Sequence, residues 1–310
     1  MNVMMIGHAG SGKTTYMAAM YGLMVNGIEK YSIISTTQKG HDNLYAIINT
    51  ILKGAYPGAT DIHAEYNFYL QYDEEPLIDF DWYDYRGGAL FERTNSSAET
   101  ARLIERIRNA DALIVFLDGD KVNLKDNSLL REYRRIAQFI EQAISKIDQE
   151  TPFPISFLIT KAGKHPNQNL YDSHGVREMM PLFEKISNSK NVHGLLAITE
   201  VSKDSLYNIE YPFLFSMMFG IERLRSKIAD MHENHRQKAV SFSNSSSLLD
   251  DGVGAIYNFF GEKYTTLSSL AKKERAEMEK LEETHGILSA HLQNIHAIVK
   301  KAGEESINLF

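Results

Sequence analysis

The sequence predicts an α/β fold: a mostly parallel sheet covered by helices on both faces, a three-layer sandwich, followed by a long C-terminal helical extension. Short apolar segments alternate with helical segments over the first 238 or so residues, as in parallel sheets. Two of the segments, ALIVFLD (112–118) and PISFLIT (154–160), are almost entirely apolar, which is typical of strands buried on both faces. From Phe260 onward, apolar residues recur at alternating steps of four and three, which predicts a long helix that is able to form a coiled coil.

The composition excludes several classes of protein. The 310 residues include no cysteine, so disulfides and thiolate metal sites are excluded, and 43% are hydrophobic, enough for a sizeable core. No apolar run approaches the ~20 residues of a membrane-spanning helix, and the first residues lack a signal-peptide pattern. The net charge of −7 disfavours nucleic-acid binding, which depends on neutralising phosphates. We therefore expect a cytoplasmic protein without a membrane span or nucleic-acid partner.

The segment GHAGSGKTT (7–15) lies between a predicted strand, NVMMI (2–6), and a predicted helix that ends near Gly27. It matches the phosphate-loop pattern G-x-x-x-x-G-K-[ST] of P-loop NTPases. Such a loop points backbone N–H groups, the helix N-terminus and a lysine at phosphate oxygens, while its Thr hydroxyl binds Mg²⁺. The alternative is a chance glycine-rich turn. We predict phosphate binding by Gly7, His8, Ala9, Gly10, Ser11, Gly12, Lys13, Thr14 and Thr15.

The other elements follow in chain order. Apolar alternation predicts strands at 65–72 and 77–84, the second as a hairpin partner of the first, and a capping-box pattern at Ser96 and Glu99 starts a helix. Further strands are predicted at 31–37, 112–118, 154–160 and 194–202, and helices at 42–54, 96–110, 128–147, 176–186 and 212–235. We expect one domain over 1–238, a Ser-rich linker over 239–254, and a helical extension over 255–310.

A second part of the site follows the predicted strand 77–84. Asp84 begins the sequence DYRGG, which contains the pattern D-x-x-G. An Asp at this place in a phosphate-binding sheet orients Mg²⁺, and Gly87 can offer its N–H to a γ-phosphate because no side chain blocks the approach. The alternative is an ordinary turn after a strand.

The order of these motifs, followed by TKAG (160–163) and VSK (201–203), resembles translation-factor-related P-loop GTPases, the group that includes Ras-like and dynamin-like proteins. The insert DNLYAIINTILKGAYPGAT (42–60) is similar to bacterial double-GTPase-like domains. The resemblance covers residues 1 to about 238. It implies GTP and GDP as ligands and Mg²⁺ as cofactor. It also implies metal contacts by Thr14, Thr60 and Asp84, and base contacts by Thr160, Lys161, Ser202 and Lys203.

Three departures from the family pattern matter. Gly163 replaces the aspartate that reads guanine, so we expect a weaker preference for GTP, with ATP as an alternative. Gly88 stands where many relatives have a water-positioning glutamine, so slow hydrolysis is expected. The switch threonine has no unique match: Thr60 is our choice, and Thr36 and Thr37 are rivals. Candidate catalytic residues are His8, Arg86 and Arg93, or an arginine from a second chain.

The C-terminal seam runs from Phe260 to Val299, with Glu274 and His285 as its polar exceptions. It predicts self-association or a protein partner, or else a helix that packs on its own chain, with Gly286 as a point where it can break. We predict a GTP-dependent switch that signals to a partner through its switch segments and this helix. The alternatives are an ATP-using ATPase or kinase, and a nucleotide-binding scaffold that does not hydrolyse.

Overall fold

The computed structural model describes residues 1–58, 64–84, 97–147, 150–165, 168–259 and 267–310. Its strands are β1 Asn2–Gly7, β2 Tyr31–Ser35, β3 Ala64–Tyr72, β4 Glu75–Asp84, β5 Ala112–Asp118, β6 Phe153–Thr160, β7 Val192–Ile198, β8 Glu200–Val201, β9 Leu206–Tyr207 and β10 Ile307–Leu309. Its helices are α1 Lys13–Val25, α2 Gln38–Leu52, α3 Ser97–Asn109, α4 Asn127–Ile144, α5 His174–Ser187, α6 Glu210–Phe259 and α7 Leu267–Glu305.

The main sheet has eight strands in the order β10-β7-β6-β5-β1-β4-β3-β2. The five strands from β7 to β4 run parallel. Every residue of β5 and β6 is buried, as their apolar sequences predict. β3 pairs antiparallel with β4, which confirms the predicted hairpin. The predicted α/β fold with a mostly parallel sheet is therefore confirmed.

Helices cover both faces of the sheet. On one face, α3, α4 and α5 pack against alternate residues of β1, β5 and β6, such as Met4 and Ile6. The intervening residues of β1, Val3 and Met5, are also buried, and they face the opposite side because strand side chains alternate. An aromatic cluster of Tyr16 in α1, Trp82 in β4 and Phe213 in α6 adds to the core. Because the central strands run parallel, their carboxyl ends lie at one edge of the sheet. At this edge β1 leads into the phosphate loop and β4 ends at Asp84.

Several predicted boundaries need correction, among them the start of α2, the end of the last strand, and the helix predicted at 212–235, which extends to Phe259 in α6. α2 starts at Gln38 rather than Asp42, because the Thr37 side chain accepts a hydrogen bond from the Gly40 N–H and caps the helix. The last predicted strand, 194–202, is divided: β7 ends at Ile198, and β8 pairs with β9 in a separate two-stranded sheet.

The predicted Ser-rich linker is wrong as a local structure, because residues 239–254 lie inside α6. Serine costs only a few tenths of a kcal/mol in a helix, and no proline interrupts this segment. The chain forms two compact units, one comprising Met1–Gly220 and Ile295–Phe310 and the other Ile221–Asn294. In the second unit, His235 of α6 contacts Glu274 of α7.

The C-terminal extension is helical over α7, and its last residues form β10, which was not predicted. β10 pairs antiparallel with β7 at the edge of the main sheet. Several residues of the predicted seam are buried within this chain: Ala271, Leu288, Ile295 and Val299. The seam residues Phe260 and Tyr264 lie outside the described residues. In the part of the chain that the structure describes, no helix has the length and apolar character needed to cross a bilayer.

Candidate functional site

The loop after β1 has the backbone geometry of a phosphate loop. A Cβ on Gly7 would lie 2.7 Å from the Phe116 carbonyl oxygen, so only glycine fits where β1 leaves the sheet beside β5. Gly12 has φ = 91°, a left-handed conformation that glycine adopts without strain. Lys13 then begins α1. Loop N–H groups and a helix N-terminus therefore lie together, an arrangement that attracts anions.

Lys13 adds a cation to this loop. Its Nζ donates hydrogen bonds to the carbonyl oxygens of Gly7 and His8, at 3.3 and 3.2 Å. Only 7% of the residue is exposed. Burial lowers the pKa of Lys13, and the nearby Asp84 carboxylate partly offsets this effect. A poorly hydrated ammonium is favourable for contact with an anionic ligand.

Thr14 and Asp84, two of the predicted metal ligands, are in direct contact. The Thr14 Oγ1 donates to the Asp84 Oδ2 over 2.9 Å. Asp84 is the last residue of β4, and Met5 of β1 is its partner in register. The start of α1 and the end of β4, far apart in sequence, therefore bring a hydroxyl and a buried carboxylate together beside the loop.

Thr160, predicted as a base contact, lines the cavity and also supports the loop. Its Oγ1 donates to the Ser11 carbonyl oxygen at 2.8 Å and to the Leu117 carbonyl oxygen at 3.3 Å. The end of β6 therefore fixes the position of the loop.

Lys161 follows in a left-handed conformation, with φ = 59°. Its Nζ lies 2.8 Å from the Asp118 Oδ1 and 3.4 Å from the Asp120 Oδ2. These aspartates were not predicted as site residues: Asp118 ends β5, and Asp120 follows it in the motif LDGD. The two ion pairs hold Lys161 across the carboxyl ends of β5 and β6.

The predicted base-contacting residues Ser202 and Lys203 have different surroundings. Ser202 lies beside the cavity, and its Oγ accepts the Ser205 N–H at 3.0 Å in the turn between β8 and β9. Lys203 pairs with Asp204 at 2.9 Å and is not among the described residues that line the cavity.

The loop opens onto a cavity of about 460 Å³, within the usual range for small-molecule sites. Several lining residues outside the loop were not predicted from the sequence. Among them, Tyr-Pro-Gly at 56–58 is recognisable in the sequence as a turn signal. The Tyr56 hydroxyl donates to the Val201 carbonyl oxygen at 3.3 Å. The cavity is lined by Ala9, Gly10, Ser11, Gly12, Lys13, Thr14, Thr15, Tyr16, Tyr56, Pro57, Gly58, Thr160, Lys161, Gly163, Lys164, Thr199, Glu200, Val201 and Ser202.

His8 is not among these lining residues. Its side chain is 5% exposed and lies against Tyr133 of α4, with its Nδ1 3.0 Å from the Glu132 Oε2. Burial, helped by Lys121 and Lys13, lowers the pKa of His8 from 6.5 to about 4. At neutral pH it is therefore an uncharged donor to Glu132, and this position does not support a catalytic role.

Several predicted site residues lie outside the described residues: Thr60, Arg86, Gly87, Gly88 and Arg93. The two rival switch threonines are described and are exposed. Thr37 caps α2, and the Thr36 N–H donates to the Asn67 carbonyl oxygen at 2.9 Å. Neither is among the described residues that line the cavity.

The chain matches one protein-family model and is similar to several solved structures. The sequence model of the family Double-GTPase 1 matches residues 4–162. Similar solved structures include the signal recognition particle receptor SRb-GTP/SRX complex from Chaetomium thermophilum, at 11% identity and a TM-score of 0.42, covering 70% of this chain and 97% of that one. A GDP-bound NFeoB mutant from S. thermophilus has 12% identity and a TM-score of 0.35, with 99% of each chain covered. A search of curated proteins gave no significant match.

Proposed function

Because the chain belongs to the Double-GTPase 1 family, we propose that its cavity binds GTP with Mg²⁺ and hydrolyses the nucleotide slowly, as a molecular switch. The observation that carries the proposal is the meeting of three groups beside one cavity: the Lys13 ammonium, the Thr14 hydroxyl and the Asp84 carboxylate. Lys13 and Thr14 begin α1, which follows β1 through the loop, and Asp84 ends β4, which pairs with β1 in the main sheet.

The phosphates of the nucleotide would lie at the loop. Loop N–H groups and the N-terminus of α1 donate to phosphate oxygens, and Lys13 supplies a full positive charge. The Thr160 hydroxyl keeps the loop in place through its bond to Ser11.

The Thr14 and Asp84 side chains fit a Mg²⁺ site. Both offer hard oxygen atoms, which already lie within 2.9 Å of each other, and Mg²⁺ completes its coordination with phosphate oxygens and water. When bound, Mg²⁺ neutralises negative charge on the transferred phosphoryl group. No group of three or more potential acidic, His or Cys ligands occurs in the described residues.

Slow turnover follows from Gly88, which has no side chain to orient water. A charged group from a second molecule would accelerate hydrolysis, because catalysis in this class depends on positioning and charge stabilisation. The bound γ-phosphate would order the segments around Thr60 and residues 84–93, and its loss would release them. α7 is tied to the main sheet through β10, so it offers a route by which a partner detects the change.

The purine that the protein carries tests this proposal directly. Protein purified under mild conditions with Mg²⁺ is denatured, and the released nucleotide is identified by chromatography. We expect GDP or GTP in the preparation. Adenine nucleotide in its place would favour the P-loop ATPase or kinase alternative.

A further inference from the structure

We propose that Glu200 reads the guanine base in place of the aspartate that Gly163 lacks. This inference rests on the proposed function, since it concerns the base of the same nucleotide. It reverses the expectation of weak guanine preference drawn from Gly163 alone.

The Glu200 carboxylate occupies the space that a side chain at position 163 would fill. A Cβ built on Gly163 would lie 1.9 Å from the Glu200 Oε1 and 2.5 Å from the Oε2. Gly163 is not among the described residues with positive φ, so its backbone does not itself require glycine. The absence of a side chain at 163 is what admits the Glu200 carboxylate.

Backbone hydrogen bonds hold Glu200 at this place. The Thr199 N–H donates to the Ile159 carbonyl oxygen at 2.8 Å, and the Ala162 N–H donates to the Thr199 carbonyl oxygen at 3.4 Å. The residue before Glu200 is thereby joined to both sides of the turn after β6, and β8 begins directly beside Gly163.

The carboxylate is half-buried and lines the cavity. The neighbouring cations already have other partners: Lys161 pairs with Asp118, and Lys164 with Asp120. Within the described residues, neither an ion pair nor a side-chain hydrogen bond involves the Glu200 carboxylate, so its two oxygens are available to a ligand.

A carboxylate at this place matches guanine and not adenine. Guanine presents two adjacent donors, N1–H and the 2-amino group, whereas adenine presents a lone pair at N1. Sites built on such a bidentate contact select between bases by roughly 100-fold or more, because the competing base leaves the half-buried carboxylate unpaired. Glu200 is therefore a specificity-determining residue.

The test measures the Mg²⁺-dependent affinities of GTP, ITP, XTP and ATP by calorimetry for wild type, Glu200→Gln and Glu200→Ala. We expect wild type to prefer GTP over ATP by at least about 100-fold, and over ITP, which lacks the 2-amino group, by about 10-fold. Glu200→Gln should weaken GTP at least about 30-fold and strengthen XTP, because an amide can donate to the 2-oxygen of xanthine. Affinity for ATP should stay within about threefold.

A double variant restores the family arrangement. In Gly163→Asp/Glu200→Ala the new side chain no longer meets the carboxylate, and we expect guanine selectivity to return. Asp204→Asn, in the turn after β8, serves as the control and should bind like wild type. An unchanged GTP-to-ATP ratio in Glu200→Gln overturns the inference while leaving GTP binding in place. An equal loss for all four nucleotides would show a structural role for Glu200, and no GTP binding by wild type would remove the proposed function as well.

Discussion

We expect phosphate binding to depend most on Lys13, because its ammonium is held inside the loop by the carbonyl oxygens of Gly7 and His8. We expect Lys13→Ala to weaken Mg²⁺-GTP binding by at least about 100-fold, since a hydrogen bond to a charged group contributes about 1.5–3 kcal/mol and the full charge is lost too. The fold should persist, because alanine suits the start of a helix. Calorimetry measures the affinity, and Lys185→Ala, far along α5, is the matched control. Equal affinities in wild type and Lys13→Ala would contradict the assignment.

Asp84 should affect metal-dependent binding specifically. We expect Asp84→Asn to lower GTP affinity in the presence of Mg²⁺ by at least about tenfold more than in EDTA, because the variant loses a charged oxygen ligand but keeps its size. Thr14 keeps a hydrogen-bond acceptor in this variant. The comparison is a titration of each protein with and without Mg²⁺. The same loss under both conditions would remove Asp84 from the metal site.

His8 should make stability depend on pH. Burial first, and then Lys121 and Lys13, lower its pKa from 6.5 to about 4. His8 therefore binds a proton near pH 6.5 in the unfolded chain but only near pH 4 in the native chain. Its contribution to the free energy of unfolding is complete above pH 6.5 and is lost as the pH falls towards 4. Between pH 7 and pH 4, wild type should lose about 3 kcal/mol more unfolding free energy than His8→Gln.

Urea unfolding at a series of pH values measures this difference. His296→Gln, on an exposed part of α7, is the control and should follow wild type. Parallel pH profiles for wild type and His8→Gln would show that His8 does not titrate as a buried group.

At the scale of the elements, the parallel core was predictable, whereas the edge strand β10 was not. β5 and β6 are apolar runs buried on both faces, so their sequences alone indicate their place. β10 has three residues, and its partner Leu196 is more than a hundred positions away, so no local pattern reveals it. The serines of 241–247 suggested a linker by composition, but the helical hydrogen bonding of α6 includes them.

In the site, too, local sequence patterns predict some features, whereas others depend on contacts across the fold. The phosphate loop and Asp84 were predictable, because a fixed spacing in one segment and a strand end carry them. Glu200 and Tyr56 were not, because their positions beside the cavity depend on contacts across the fold, such as those of Thr199 with the turn after β6. Motif reasoning recorded the missing aspartate at 163 but had no way to find the carboxylate that fills its space.

β10 should contribute to the stability of the main sheet. Ile307 is 3% exposed and pairs with Ala197, whereas Asn308 is exposed. We expect Ile307→Ala to lower the unfolding free energy by about 2–4 kcal/mol, and Asn308→Ala to change it by less than about 0.5 kcal/mol. Urea unfolding of both variants measures the effect. Equal, small changes would mean that β10 is not part of the folded sheet.

At the scale of the whole molecule, the C-terminal extension is joined to the main sheet by the pairing of β10 with β7. Removing residues 255–310 would also remove β10, so such a truncation tests sheet stability together with association. Buried seam residues such as Leu288 and Ile295 favour packing within the chain over a coil between chains. Association with a partner stays a prediction. It can be tested without a truncation by measuring turnover per molecule over a wide range of concentrations of the full-length protein. A rise would indicate self-association.

The most direct test of the central claim is the hydrolysis of GTP by the purified chain under single-turnover conditions with Mg²⁺, followed as GDP formed per protein. The account predicts complete but slow conversion, on the order of 10⁻³ s⁻¹ or slower without a partner, and none in Lys13→Ala. Magnesium removal should abolish the reaction. Wild type that neither binds nor hydrolyses GTP, or conversion that persists unchanged in Lys13→Ala, would contradict the account.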